Sequence, residues 1–192
     1  MIRSMSRRQA REQAEEAIIK NLSKAVGYSA RLAFVGLVEN MLETNSAMHF
    51  KRTYFDSLLS LAEDPVADIR AAVANILPRV KRSMTMPGDM LLLEALGNAV
   101  TSLIADRDVY VGKVTSIMAE RYRNTQVVTG NASACDPETQ ALLLEDERKL
   151  KEEESMWKED SAGSTASKLL KKSATTGSSF HTSRTRRRSS IG

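Results

Sequence analysis

Few residues in this chain are of a type and spacing that could do chemistry. The 192 residues hold two histidines, His49 and His181, and a single cysteine, Cys135. They are far apart in sequence and form no spacing suited to a metal. No glycine-rich phosphate loop of the G-x-x-x-x-G-K-[ST] or G-x-G-x-x-G type occurs, and no serine sits in a G-x-S-x-G elbow. The acidic residues that stand out, Asp64 and Asp106, fall between hydrophobic runs, where a carboxylate accepts hydrogen bonds from the free amides of a turn or a helix start. Position, rather than acid–base catalysis, is what such residues supply. An enzyme is not expected, and neither a cofactor nor a small-molecule substrate is implied.

Asp64 and Asp106 lie 42 residues apart, and the segments around them correspond at that offset. Ser60 aligns with Ser102, Leu61 with Leu103, Ile69 with Val111, Ile76 with Met118 and Arg79 with Arg121. A repeat of that length, built as helix, acidic turn and helix, predicts an α-solenoid, in which each pair hides its apolar stripe by stacking on its neighbours. Asp64 and Arg70 then admit three readings. Asp64 caps a helix while Arg70 solvates its flank, the two belong to a hydrogen-bond ladder between repeats, or they contact a partner directly.

Apolar residues at three- and four-residue spacing predict six helices, at about 12–26, 29–43, 47–63, 66–81, 89–105 and 109–123. Gly27 and Ser29 read as a stop and a cap, and Asp89 as the cap that follows the Met86-Pro87-Gly88 loop. Asp64-Pro65 ends one helix and opens the next, because proline lacks an amide hydrogen and suits a first turn. Pro78, inside the fourth pattern, predicts a kink or an early end near Leu77. No strand is expected, since Val127-Val128 is too short.

The expected organisation is all-α: a short solenoid of about three helix pairs over 12–125, a charged, solvated helix over 136–160, and a disordered basic Ser/Thr-rich tail over 161–192. The net charge of +4 belongs largely to that tail, which contains seven basic residues and no acid. Arg184 to Ser190 reads as an import signal, a nucleic-acid contact or a site for a basic-directed kinase acting on Ser189 or Ser190, against a plain solvated end. Nucleic acid is the weakest of these, because Phe180 alone accompanies the arginines. The lone cysteine, the absence of an apolar stretch behind the N-terminal arginines and the absence of a long apolar run make a soluble intracellular protein the expectation. That places it in the cytoplasm, with the nucleus as a second site if the basic run is an import signal, and with no membrane partner.

Asp64-Pro-Val-Ala-Asp-Ile-Arg70 resembles the intra-repeat turn of HEAT repeats, which carries Asp at the turn and an aliphatic residue and Arg five and six positions later. Over about 28–122 the chain is similar to the C-terminal HEAT repeats of the protein phosphatase 2A scaffold subunit and of the related protein phosphatase 4 regulators. The resemblance implies a non-catalytic scaffold or regulatory subunit that binds a serine/threonine phosphatase catalytic subunit, and with it other regulatory subunits. The contact would be made through the turns Asp64, Pro65, Val66, Ala67 and Asp68, and Asp106, Arg107, Asp108, Val109 and Tyr110. Two departures stand out: Gly112 replaces the basic residue of the second copy, with Lys113 one position late, and a long charged tail follows residue 125. Three repeats are few for this family, so a C-terminal piece of a longer protein is expected, with Ile18, Leu22 and Phe34 partly exposed for want of a preceding repeat. The alternative is a generic HEAT or armadillo adaptor in transport or cytoskeletal assembly, whose basic tail supplies the contact.

Overall fold

The computed structural model describes residues 8–129 and 137–175, with side chains described over 9–129 and 137–156. Helices α1 (Arg8–Ser23) and α2 (Tyr28–Thr44) form the first pair. The second pair joins α3 (Ala47–Thr53), α4 (Phe55–Ser60) and a short 3-10 turn (Leu61–Glu63) to α5 (Ala67–Arg82), and the third joins α6 (Met90–Ile104) to α7 (Val109–Asn124). α5 is central. It packs on α2 from one side and most extensively on α7 from the other, so the second helices of the pairs make one layer and the first helices a second. This is the all-α, solenoid-like architecture the repeat predicts.

The core follows the apolar stripes. Phe34 and Val38 of α2, Ile69, Val73, Leu77 and Val80 of α5, Leu96 and Leu103 of α6 and Val111 of α7 are buried together. Phe34 is fully buried, contrary to the expected exposure at the open end of the stack, because α2 turns it onto the second pair; Ile18 and Leu22 are half-buried.

Several local expectations are corrected. The helix expected over 47–63 is divided at Tyr54, whose backbone stays in the right-handed helical region but with φ stretched to −113° (ψ −22°), and whose ring is fully buried. α5 runs through Pro78 to Arg82. A proline inside a helix forfeits a backbone hydrogen bond, but Leu77 and Val80 beside it are both buried, and tertiary packing outweighs the local penalty. Gly27, rather than Ser29, precedes α2. Asp89 does not cap α6 with its side chain; it accepts from the Thr85 amide (2.7 Å) and from Lys51 Nζ (2.6 Å).

Val128 takes part in a strand after all. β1 (Thr85–Met86) and β2 (Val128–Thr129) pair in parallel, Thr85 opposite Val128. The last helix, α8 (Pro137–Thr175), passes the boundary expected at 160, since Ala166, Lys168, Leu169, Leu170 and Lys171 are good helix formers. Nor is its first half simply solvated. Glu153 is buried and accepts from the Ser46 amide (2.9 Å) and hydroxyl (2.5 Å), and Asp146 accepts from the Ala47 amide (2.6 Å). The basic run with Ser189 and Ser190 lies outside the described residues.

Candidate functional site

The turns inside the three pairs line up along one edge of the stack, and a repeated set of hydrogen bonds holds them. Arg70, at the start of α5, donates from Nη1 to the carbonyl oxygens of Asp64 (2.7 Å) and Pro65 (3.2 Å) in its own turn. It reaches forward with Nε and Nη2 to both carboxylate oxygens of Asp106 in the next turn, at 2.7 and 2.8 Å. Arg31 does the same one pair earlier. Its Nη1 donates to the carbonyls of Ala25 (2.7 Å) and Val26 (2.9 Å), and its Nε and Nη2 donate to the Asp64 carboxylate at 2.6 and 3.1 Å. A planar guanidinium fits this task because it presents parallel donors to a carboxylate and still has another for its own turn.

Each carboxylate also folds its own turn. Asp64 accepts from the Val66 amide and Asp106 from the Asp108 amide, both at 2.8 Å. Asp64 is therefore two residues short of capping α5, whose cap position is Val66, and Pro65 lies in the turn rather than in the first helical turn. Asp108, not Asp106, caps α7, accepting from the Tyr110 amide at 2.8 Å. The hydrogen bond from Arg70 holds the Asp106 carboxyl below the usual carboxylate range, against the opposing effect of its burial. The hydrogen bond to Asp106 in turn raises Arg70, and that to Asp64 raises Arg31.

This geometry divides the ten turn residues into three groups. Asp64 and Asp106 are engaged internally by arginine and backbone donors, so they set the turns. Val66, Ala67 and Asp108 are half-buried. Pro65, Asp68, Arg107, Val109 and Tyr110 face solvent, with Val109 71% and Tyr110 58% exposed. Val26 and Tyr28 extend the same ridge at the first turn, at 101% and 50% exposure. Aromatic and aliphatic side chains on a rigid edge suit a protein contact, and nothing about them suggests bond-making chemistry.

The ladder stops at Gly112, which stands where Arg70 stands one pair earlier and has no side chain to donate. Arg31 escaped the sequence reading because its offset from Arg70 is 39 residues rather than 42, so the spacing hid the first rung.

α8 lies along the opposite edge. Besides packing on α1, it contacts Ser46 and Ala47 at the start of α3 and Arg82 at the end of α5, where Glu138 pairs with the guanidinium. These are the connections between pairs, so the described part of α8 leaves the ridge uncovered.

A second polar cluster was invisible in the sequence. His49, Glu15 and Tyr54 meet in the interior: His49 Nε2 is 2.9 Å from Glu15 Oε1, and the Tyr54 hydroxyl is 3.5 Å from the same oxygen. Burial, then the charge of Glu15, pushes the Tyr54 phenol well above its ordinary range. Among the described residues no group of three or more His, Cys, Asp or Glu side chains is placed to hold a metal ion, and Cys135 and His181 lie outside them.

No family model matches the chain, and no solved structure does. Over 111 residues, 56% of the chain, it is 31% identical to serine/threonine-protein phosphatase 4 regulatory subunit 4 of Mus musculus. It is 30% identical to the protein of the same name from Homo sapiens over an equal length. The chain spans 13% of the length of these relatives. It is thus related to a stretch of a phosphatase regulatory subunit.

Proposed function

We propose that this chain is a non-catalytic, HEAT-type regulatory module that binds a serine/threonine phosphatase catalytic subunit through its ridge of intra-pair turns. The observation that carries the reading is the Arg31–Asp64 and Arg70–Asp106 ladder. It fixes successive turns relative to each other and leaves Pro65, Asp68, Arg107, Val109 and Tyr110 facing outward from a preorganised edge. Preorganisation lowers the entropy lost on binding, so a small number of contacts suffices. Similarity to a protein named as a regulatory subunit of phosphatase 4 supplies the class of partner. The cytoplasm is the proposed place of action, with nuclear entry depending on the basic run at 184–190, and further regulatory subunits are proposed as co-partners.

The test is capture of a purified phosphatase 4-type catalytic subunit on the full chain. Joint replacement Val109→Ala and Tyr110→Ala is expected to weaken capture at least about tenfold, as loss of an aromatic anchor does, while thermal unfolding stays unchanged. Removal of residues 176–192 is expected to leave capture intact. No capture by the parent chain, or capture indifferent to the ridge variant, would sink the proposal, and loss on tail removal would favour the adaptor with a basic contact segment.

A further inference from the structure

The last helix of the stack has one face packed and one face open. Val111, Thr115 and Ala119 of α7 are buried against the pairs beneath. Lys113, Ser116, Ile117, Glu120 and Asn124 are exposed, Ile117 at 61%. Their spacing of three and four residues places them on one stripe of the helix. An isoleucine thus stands in solvent with Lys113 one turn before it and Glu120, beside the exposed Arg121, one turn after it.

We propose that this stripe binds a second copy of the chain, α7 against α7, antiparallel about a two-fold axis passing between Ser116 and Ile117. About that axis each residue faces the one equally far on the other side. Lys113 meets the second copy's Glu120, Glu120 meets its Lys113, and Ile117 lies beside its Ser116, whose small side chain leaves room for the branched one. The arrangement is isologous, as a closed dimer requires. A parallel pairing would set Lys113 against Lys113 and Glu120 against Glu120, so the order of charges along the helix selects the antiparallel one. A further pair stacked as α7 stacks on α5 would draw on an arginine at position 112 for its rung, and Gly112 offers none. A single helix crossing buries less than the interface of a stable dimer, so association is expected on the order of 10–100 μM.

Sedimentation equilibrium of the full chain, from below to above that range, tests the proposal. Lys113→Glu alone and Glu120→Lys alone are each expected to weaken association at least about tenfold, with unchanged circular dichroism and melting. An equimolar mixture of the two variants is expected to regain the parent level, because both ion pairs re-form between unlike copies. A parent chain that stays monomeric to about 0.5 mM, well past the expected range, would overturn the inference. So would single reversals without effect, or a mixture no better than either variant alone. The axis sets Asn124 against the second copy's Val109, so the dimer would border the ridge, but the two proposals are told apart by different variants and a different partner.

Discussion

Arg70 grips both carboxylate oxygens of Asp106, at 2.7 and 2.8 Å, across 36 positions of sequence, and with the same guanidinium closes its own turn on the Asp64 carbonyl. Arg70 is 4% exposed, so its partners are largely shut off from water. Removing Arg70 leaves the Asp106 carboxylate with the Asp108 amide but no cation, and takes the guanidinium from the Asp64 and Pro65 carbonyls. Arg70→Ala is expected to destabilise the chain by about 3 kcal/mol, read as a lower urea midpoint. Arg70→Lys is expected to recover little, because an ammonium cannot serve a carboxylate bidentately and reach a carbonyl behind it. Equal stability of the lysine variant and the parent would refute the ladder as a bidentate device.

The same contact sets an acid limit. Asp106 has a folded-state pKa below its unfolded value, through the hydrogen bond from Arg70. A carboxyl depressed in this way contributes stability above its ordinary pKa of about 3.9 and loses it as pH falls through the lower folded value. Asp89 behaves alike: burial pushes its carboxyl up, but Lys51 and Thr85 outweigh burial and leave it low. Urea titrations between pH 7 and about pH 2.5 should show a steep loss of stability below about pH 4. Asp106→Asn should be less stable at neutral pH and flatter in that acid window; an unchanged acid slope would count against the assignment.

Glycine substitutions separate the end of the ladder from ordinary helix. A Cβ at Gly97, inside α6, meets nothing within 4 Å, and Gly97→Ala is expected to raise stability by roughly 0.5–1 kcal/mol. A Cβ at Gly112 meets the Ile104 carbonyl oxygen at 3.3 Å, closer than ordinary contact. Gly112→Ala should therefore gain less than Gly97→Ala, or lose stability. Melting temperatures of the two variants give the comparison, and a larger gain at 112 would be the contrary result.

The docking of α8 rests on Glu153, which closes both the amide and the hydroxyl of Ser46. Glu153→Ala is expected to cost about 2 kcal/mol of docking, the scale of hydrogen bonds to a charged group. Hydrogen exchange should then rise across 137–156 while the amides of α5 and α7 keep their protection. Uniform loosening of the whole stack would mean that α8 is integral to the core rather than a strap along one edge.

The local part of this architecture is written in local patterns. Stripes at three- and four-residue spacing gave five of the six solenoid helices to within a few residues, because amphipathic periodicity is a property of neighbouring positions. The sixth is divided at Tyr54, where φ stretches to −113°, and ends in a 3-10 turn over Leu61–Glu63. The ridge was partly legible. Asp64 and Asp106 announced the turns, and two of the three readings of Asp64 and Arg70 already made them internal; the spacing did not say that Arg31 would be the donor to Asp64, or that Pro65, Val109 and Tyr110 would be left facing outward.

By itself the sequence determined the repeat, its helical class and the acidic turns, since each depends on interactions within a few residues or on similarity between two segments. Only the tertiary structure decided that Arg31 and Arg70 are the rungs, that His49 meets Glu15, that Val128 pairs with Thr85, and that an acidic helix lies against Ser46 on the edge away from the ridge. Those contacts join residues between 33 and 107 positions apart. Their register is fixed by how the helix pairs stack, a packing result that no local periodicity encodes.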